Sequence, residues 1–189
     1  MKYVKIFFLV LFVLMAQTEV YAKAIETETV FNKSVDTTTI LTADGEKIKV
    51  DLTAKGMIFY GYEDKIVLLE AFGYRCPPCL AAISGYNRLL EKYGEKIVII
   101  AVEAWGADKS QFDAIVKQHK VRYRAVSKDH SGKVLAFMQR LTGWNTNIGV
   151  PYLMLFSKGG KLFKDVPPQP FPEAHVEKLI ETLLQSGSN

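Results

Sequence analysis

The pattern of apolar residues predicts a strand, a helix and a second strand in the middle of the chain. Residues Ile66–Phe72 are apolar on both faces except at Glu70, as expected of a strand covered on both sides. Residues 80–93 carry apolar side chains at helical spacing, and Gly94 follows as a natural helix stop. Residues 96–102 form another continuous apolar run. This order predicts a parallel βαβ unit and hence an α/β protein.

The C-terminal half continues with alternating helices and strands, then a β-hairpin and a last helix. The predicted elements are a helix at 108–119, a strand at 121–126, a helix at 131–141, a loop at 143–149, a strand at 151–156, a turn at 158–161, its partner strand at 162–166, a proline-rich link at 167–172 and a helix at 173–184. The last helix has apolar residues on one face, which predicts that it packs on the sheet.

A β-hairpin is predicted upstream of the βαβ unit. Residues 37–42 are rich in β-branched side chains, and residues 48–52 alternate between apolar and polar. Asp44 and Gly45 between them are a strong hairpin turn signal. Residues 56–64 contain two glycines and three aromatics, and their pattern assigns no element.

The N-terminus has the features of a secretory signal peptide. A short basic start precedes an apolar run of about ten residues, and small residues at positions 20 and 22 suit cleavage after Ala22. A membrane anchor is the alternative, but a spanning helix needs about 20 apolar residues. We therefore expect a signal peptide at 1–22, a mobile lead-in at 23–35 and one domain at 36–189. The expected location is the bacterial periplasm.

Composition excludes some functions and draws attention to the cysteines. The chain of 189 residues has a formal net charge of only +4, and no dense Lys/Arg block marks a nucleic-acid surface. Its two cysteines, Cys76 and Cys79, are spaced C-x-x-C after a predicted strand. A disulfide closing so short a loop adds little stability, so a redox role is favoured over a structural one. A closed zinc site usually needs four ligands, and no second C-x-x-C is present.

The two thiols have different expected roles. Cys76 lies at the predicted helix N-terminus, where partial positive charge favours a thiolate, and is the candidate exposed nucleophile. Cys79, one turn later, is expected to be more buried and to resolve the mixed disulfide. Pro77 and Pro78 suit a first helical turn, but Pro78 removes an N–H that would stabilise the thiolate, leaving that of Cys79. Arg75 has the opposite effect, because a cation beside the sulfur stabilises the Cys76 thiolate.

Taken together, the C-P-P-C motif after a buried strand, Val150-Pro151 before a later strand, the following hairpin and the closing helix resemble the thioredoxin-like fold. The upstream hairpin and the extra strand and helix before Pro151 resemble exported thiol–disulfide oxidoreductases of the TlpA/ResA type. The fold class expected from this resemblance is α/β, a central mixed sheet flanked by helices, with an N-terminal β-hairpin extension.

The resemblance implies roles for three further residues. Glu70, an isolated carboxyl in an apolar strand, should have a raised pKa, and the resemblance makes it the general acid/base for Cys79. Pro151 corresponds to a cis-proline facing the C-x-x-C, with Val150 offering backbone to a bound substrate strand. The implied partners are protein thiols or disulfides and a membrane redox protein. No metal or organic cofactor is implied, and a monomer is expected.

The direction of electron flow is not fixed by the sequence. A reductase, serving cytochrome c maturation or the upkeep of other periplasmic thiols, is favoured because a predicted strand lies between Cys79 and Pro151. An oxidase or isomerase of the same fold is the alternative within this class. A copper-binding chaperone that uses the two thiols as soft ligands is an alternative of another class.

Overall fold

The strands of the chain form two sheets, flanked by helices. The computed structural model describes residues 34–143 and 148–186. The elements in these ranges are β1 Ser34–Leu41, β2 Lys47–Thr53, β3 Gly56–Phe59, β4 Ile66–Phe72, α1 Pro77–Tyr93, β5 Ile97–Glu103, α2 Lys109–Gln118, β6 Arg124–Val126, α3 Lys128–Thr142, β7 Tyr152–Phe156, β8 Leu162–Val166 and α4 Glu173–Ser186. The predicted α/β class is confirmed.

The larger sheet has the strand order β6-β5-β4-β7-β8, with β4 at its centre. β4 pairs in parallel with β5 and antiparallel with β7, so the sheet is mixed. Every residue of β4, β5 and β7 is buried, which explains why these strands are apolar except at Glu70 and Glu103. The site described below lies where β4 ends and α1 begins.

Apolar clusters fill both faces of this sheet. On one face, Leu68 of β4 packs in a cluster with Tyr86 of α1 and Ile180 of α4. On the other face, Leu69 shares a cluster with Phe137 of α3 and with the smaller sheet. The alternation along β4 thus assigns each apolar side chain to one of the two clusters, as the pleat of a strand requires.

The predicted N-terminal hairpin is confirmed, and it is larger than predicted. β1 and β2 pair antiparallel around the turn at Gly45, which has a φ of 91°, a value that glycine adopts without strain. β3 lies in the segment that the sequence left unassigned and adds a third strand. Its Phe59 contacts Phe156 of β7 edge-on, with ring centroids 5.8 Å apart. The extension is therefore a layer of the core.

Several boundaries differ from the prediction. β1 begins at Ser34, two residues inside the segment expected to be mobile. β6 has only three residues, and α3 starts at Lys128, three residues early. The predicted signal peptide at 1–22 and most of the lead-in lie outside the described residues. Within those residues, every helix is too short or too polar to cross a bilayer.

Candidate active site

The two cysteines lie at the junction of β4 and α1. After Phe72, a tight turn forms in which the Cys76 N–H donates to the Gly73 carbonyl at 3.0 Å. Cys76 has extended backbone angles and caps α1, and the two prolines occupy the first turn of the helix. Cys76 and Cys79 form a disulfide with their Cα atoms 5.2 Å apart. The motif thus places a reversible sulfur pair at a helix N-terminus.

One backbone donor faces the first sulfur. The Cys79 N–H donates to Cys76 Sγ at 3.2 Å. Pro77 and Pro78 have no N–H, so neither can add a second bond of this kind. The sequence predicted this contact, and the structure confirms it. A thiolate at Cys76 would therefore have less stabilisation from α1 than one at a helix start without Pro78.

Both cysteines are buried in the disulfide. Cys76 is 1% exposed and Cys79 0%. The prediction that Cys76 is exposed is wrong for this state, because the bond to buried Cys79 draws the Cys76 sulfur into the apolar cluster under α1. The neighbouring Arg75 and Pro77 are exposed. An approaching partner protein therefore contacts Arg75 and Pro77 before it can contact either cysteine sulfur.

Glu70 lies on the face of β4 that is covered by α1. It is 0% exposed, and among residues 34–143 and 148–186 neither carboxyl oxygen has a hydrogen-bond partner of ordinary geometry. Burial raises the pKa of Glu70 well above its usual value, and the smaller, opposing influence is the Tyr86 hydroxyl. The raised pKa was predicted from the sequence. A carboxyl in this environment retains its proton at pH values where an exposed one would be ionised.

Two tyrosines accompany this carboxyl. Burial, and secondarily the Glu70 carboxylate, raises the pKa of both Tyr86 and Tyr123 well above the usual value. Their rings meet edge-on with centroids 5.5 Å apart. Sequence analysis treated Tyr86 only as an apolar position of the helix and did not single out Tyr123. The buried acid is thus surrounded by groups that stay neutral.

Glu103 is an organising residue that sequence analysis missed. It ends β5, is 0% exposed, and accepts four backbone N–H groups. Its Oε1 accepts from Tyr74 at 3.2 Å and Trp105 at 3.0 Å. Its Oε2 accepts from Gly106 at 2.6 Å and Ala107 at 3.0 Å. One carboxylate therefore ties the loop before Cys76 to the loop after β5. A charged residue at the end of an apolar strand was the available signal.

The Trp105 ring lies against the loop that leads to the cysteines. A Cβ placed on Gly73 would be only 2.7–3.0 Å from three atoms of the indole. Glycine is thus favoured at position 73, because a side chain there would have to displace the Trp105 ring. Nearby, the Arg75 guanidinium lies over the Tyr74 ring, 4.9 Å from its centroid.

The Val150-Pro151 peptide bond is cis. β7 starts at the next residue, and its Tyr152 pairs with Ala71 near the end of β4. This register brings Pro151 beside the strand end from which the cysteine turn departs. Val150 precedes the paired part of β7, and within the described ranges its backbone makes no hydrogen bond outside the strands.

Within residues 34–143 and 148–186, no three His, Cys, Asp or Glu side chains form a group that could hold a metal ion. No protein-family model matches the chain, and no curated protein matches it significantly.

Solved structures do match. A thiol:disulfide interchange protein of the thioredoxin family from Chlorobium tepidum has a TM-score of 0.62 at 12% identity, covering 80% of this chain and 96% of that one. The exposed lipoprotein thioredoxin of Streptococcus pneumoniae has a TM-score of 0.59 at 16% identity, covering 78% and 99%. A secreted disulfide oxidoreductase of Mycobacterium tuberculosis has a TM-score of 0.57 at 13% identity, covering 76% and 94%. The likeness carries the fold, and this chain has the thioredoxin-like fold of these oxidoreductases.

Proposed function

We propose that the protein is an exported thiol–disulfide oxidoreductase that acts mainly as a disulfide reductase. The observation that carries the proposal is the Cys76–Cys79 disulfide at the start of α1, with the buried acid Glu70 on the strand beneath. The fold shared with known oxidoreductases supports it.

The proposed reaction is a two-electron exchange. The Cys76 thiolate attacks one sulfur of a substrate disulfide, the substrate S–S bond breaks, and a mixed disulfide forms as one substrate thiolate leaves and takes up a proton. The Cys79 thiolate then attacks Cys76 Sγ and releases the second substrate thiolate, which is also protonated. The protein ends as the Cys76–Cys79 disulfide, and the substrate has gained two electrons and two protons.

Glu70 is the proposed proton acceptor for Cys79. A thiol must lose its proton before it can resolve the mixed disulfide, and both groups are closed off from bulk solvent. A carboxyl of raised pKa suits this task because its proton affinity lies closer to that of a thiol. The Tyr86 hydroxyl lies near the same carboxyl group and keeps its own proton, because burial raises its pKa.

Val150 and Pro151 are the proposed substrate-binding residues. Val150 lies two residues before Tyr152, which pairs with Ala71 near the end of β4, and the Val150 backbone is outside the β7 ladder. An extended substrate segment could pair with it as an added strand, which would bring the substrate sulfur towards Cys76.

The proposed direction follows from the donors around Cys76. Less stabilisation of its thiolate makes the disulfide a weaker oxidant, and Pro78 removes one of the two available N–H groups. Arg75, stacked on Tyr74, is the opposing influence. Equilibration with glutathione measures the outcome. A potential near the thioredoxin value of about −270 mV supports a reductase, and one near −120 mV would establish the alternative oxidase.

Reaction assays separate an oxidoreductase from a copper chaperone. We expect wild-type protein to catalyse insulin reduction and the Cys76→Ser variant to be inactive. The Cys79→Ser variant should accumulate a mixed disulfide because the resolving thiol is absent. Stoichiometric copper retained against glutathione, without insulin reduction, would overturn the proposed function in favour of a two-thiolate copper site.

Export and electron supply complete the proposal. Residues 1–22 have the order of charge and hydropathy of a secretory signal, so the mature protein should begin at Lys23 and lie in the periplasm. Electrons would then come from a membrane redox protein, and the substrates would include periplasmic thiols or the cysteines of apocytochrome c. N-terminal sequencing of protein from the periplasmic fraction tests the first step.

A further inference from the structure

The surface beside the dithiol combines a cation with two aromatic side chains. Since both sulfurs are buried, recognition of a partner must depend on the exposed residues around them. Arg75 is exposed and Tyr74 is half-buried. Trp105 is 52% exposed, a large fraction for this side chain. We call Tyr74, Arg75 and Trp105 the docking surface.

The docking surface is held in a fixed shape. The Tyr74 and Trp105 N–H groups donate to the same oxygen of Glu103, so their backbones must be adjacent. The indole also rests on Gly73, which leaves it no room to move towards the backbone. An exposed aromatic ring fixed in advance loses little freedom on binding, which is a property of residues that anchor partners.

Arg75 is the charged part of this surface. Within the described ranges it forms no ion pair, whereas Arg88, Arg122 and Arg124 each pair with a carboxylate. Glu103 does not neutralise it by direct contact, because the Glu103 oxygens accept backbone N–H groups. The guanidinium lies over the Tyr74 ring and has five N–H donors, so it can donate hydrogen bonds to a carboxylate of a bound partner.

We propose that the docking surface selects extended polypeptide substrates that carry an acidic side chain beside the reacting cysteine. In this assignment the substrate Asp or Glu pairs with Arg75, and its apolar neighbours pack on Trp105. The inference rests on the proposed function and deepens it by naming the substrate class. The bonds formed and broken are those of the exchange described above.

Three cyclic peptide disulfides test the inference. They are identical except for Glu, Gln or Lys before the first cysteine, and each is reacted with reduced protein under single-turnover conditions. We expect the Glu peptide to react about threefold faster than the Gln peptide at low ionic strength, with the Lys peptide slowest. The differences should shrink in about 1 M salt, where the screening length is about 3 Å.

Variants assign the preference to named residues. Arg75→Gln should lower the ratio of the Glu-peptide rate to the Gln-peptide rate to about one, and Arg75→Lys should keep part of this ratio because the charge remains. The ratio is the readout, because loss of the cation beside Cys76 changes the rates of all three peptides together. Arg140→Gln is the matched control, since its guanidinium also lies over a ring, that of Phe137, but on α3. Trp105→Ala should slow all three peptides about fivefold with the ratios intact.

The outcomes distinguish failure of the docking surface from failure of the proposed function. Equal rates for the three peptides with wild-type protein, or an unchanged Glu preference in Arg75→Gln, would overturn the docking surface while the exchange reaction stands. A small aromatic disulfide, which does not need the docking surface, is the second substrate. If the protein reduces neither the peptides nor this compound, the proposed function is wrong and the inference is wrong with it.

Discussion

Replacing Glu103 by Gln should separate the two loops that surround the dithiol. The substitution keeps the size of the side chain but exchanges one acceptor oxygen for an NH₂ group. Whichever way the amide is turned, it can accept only two of the four N–H groups that Glu103 accepts. The other two backbone N–H groups then face the NH₂ group of the glutamine, so two buried donors have no acceptor.

The size of the effect follows from those lost contacts. A hydrogen bond to a charged group contributes about 1.5–3 kcal/mol, and two are lost. The two losses sum to about 3–6 kcal/mol, and removal of a buried charge returns part of this, so the free energy of unfolding should fall by about 2–5 kcal/mol. Since domains are stable by roughly 5–15 kcal/mol, this is a large fraction of the total.

Urea unfolding of the oxidised proteins measures this loss. Glu95→Gln is the matched control, because Glu95 is exposed and forms a surface ion pair with Lys65, and it should change stability by about 0.5 kcal/mol or less. If Glu103→Gln stays within about 1 kcal/mol of wild type, the carboxylate does not hold the loops together and its role as derived above is wrong.

Three further predictions concern the acid, the helix start and the indole contact. Because burial raises the Glu70 pKa, the contribution of protonated Glu70 to the free energy of unfolding is complete below the ordinary carboxyl pKa. It should fall by up to about 1.4 kcal/mol per pH unit as the pH rises towards the pKa of Glu70 in the folded protein. Glu70→Gln should remove this slope in denaturation series, and parallel profiles would contradict it. Pro78→Ala should restore an N–H near the sulfur and raise the reduction potential by about 10–30 mV; an unchanged or lower potential would refute the donor argument. Gly73→Ala should cost about 1–3 kcal/mol through the clash with Trp105 and cost much less in a Trp105→Ala background, whereas additive losses in the double-mutant cycle would exclude the contact.

Local pattern predicted most of the fold. The bounds predicted for β4 and β8 agree with the structure, and those of most other elements differ by a few residues. The reason is that a strand covered on both faces must be continuously apolar, and a helix with one buried face must repeat at its own period. β3 was missed because its four residues are too few to set a period.

Part of the candidate active site could also be predicted from residues that are neighbours in the sequence. The C-P-P-C spacing, the missing N–H at Pro78 and the isolated carboxyl of Glu70 are all local features, so the sulfur contact and the direction of the pKa shift could be predicted from them. The burial of Cys76 could not be, because it depends on how the closed disulfide packs under α1.

What the sequence by itself determined is therefore the fold class, the place of the dithiol and the nature of the buried acid, because each follows from neighbours along the chain. Only the tertiary structure decided that Glu103 binds the loop before Cys76 and that Trp105 lies on Gly73. Those contacts join residues about 30 positions apart. Their partners are backbone N–H groups and a bare glycine, which have no side-chain pattern for a sequence to display.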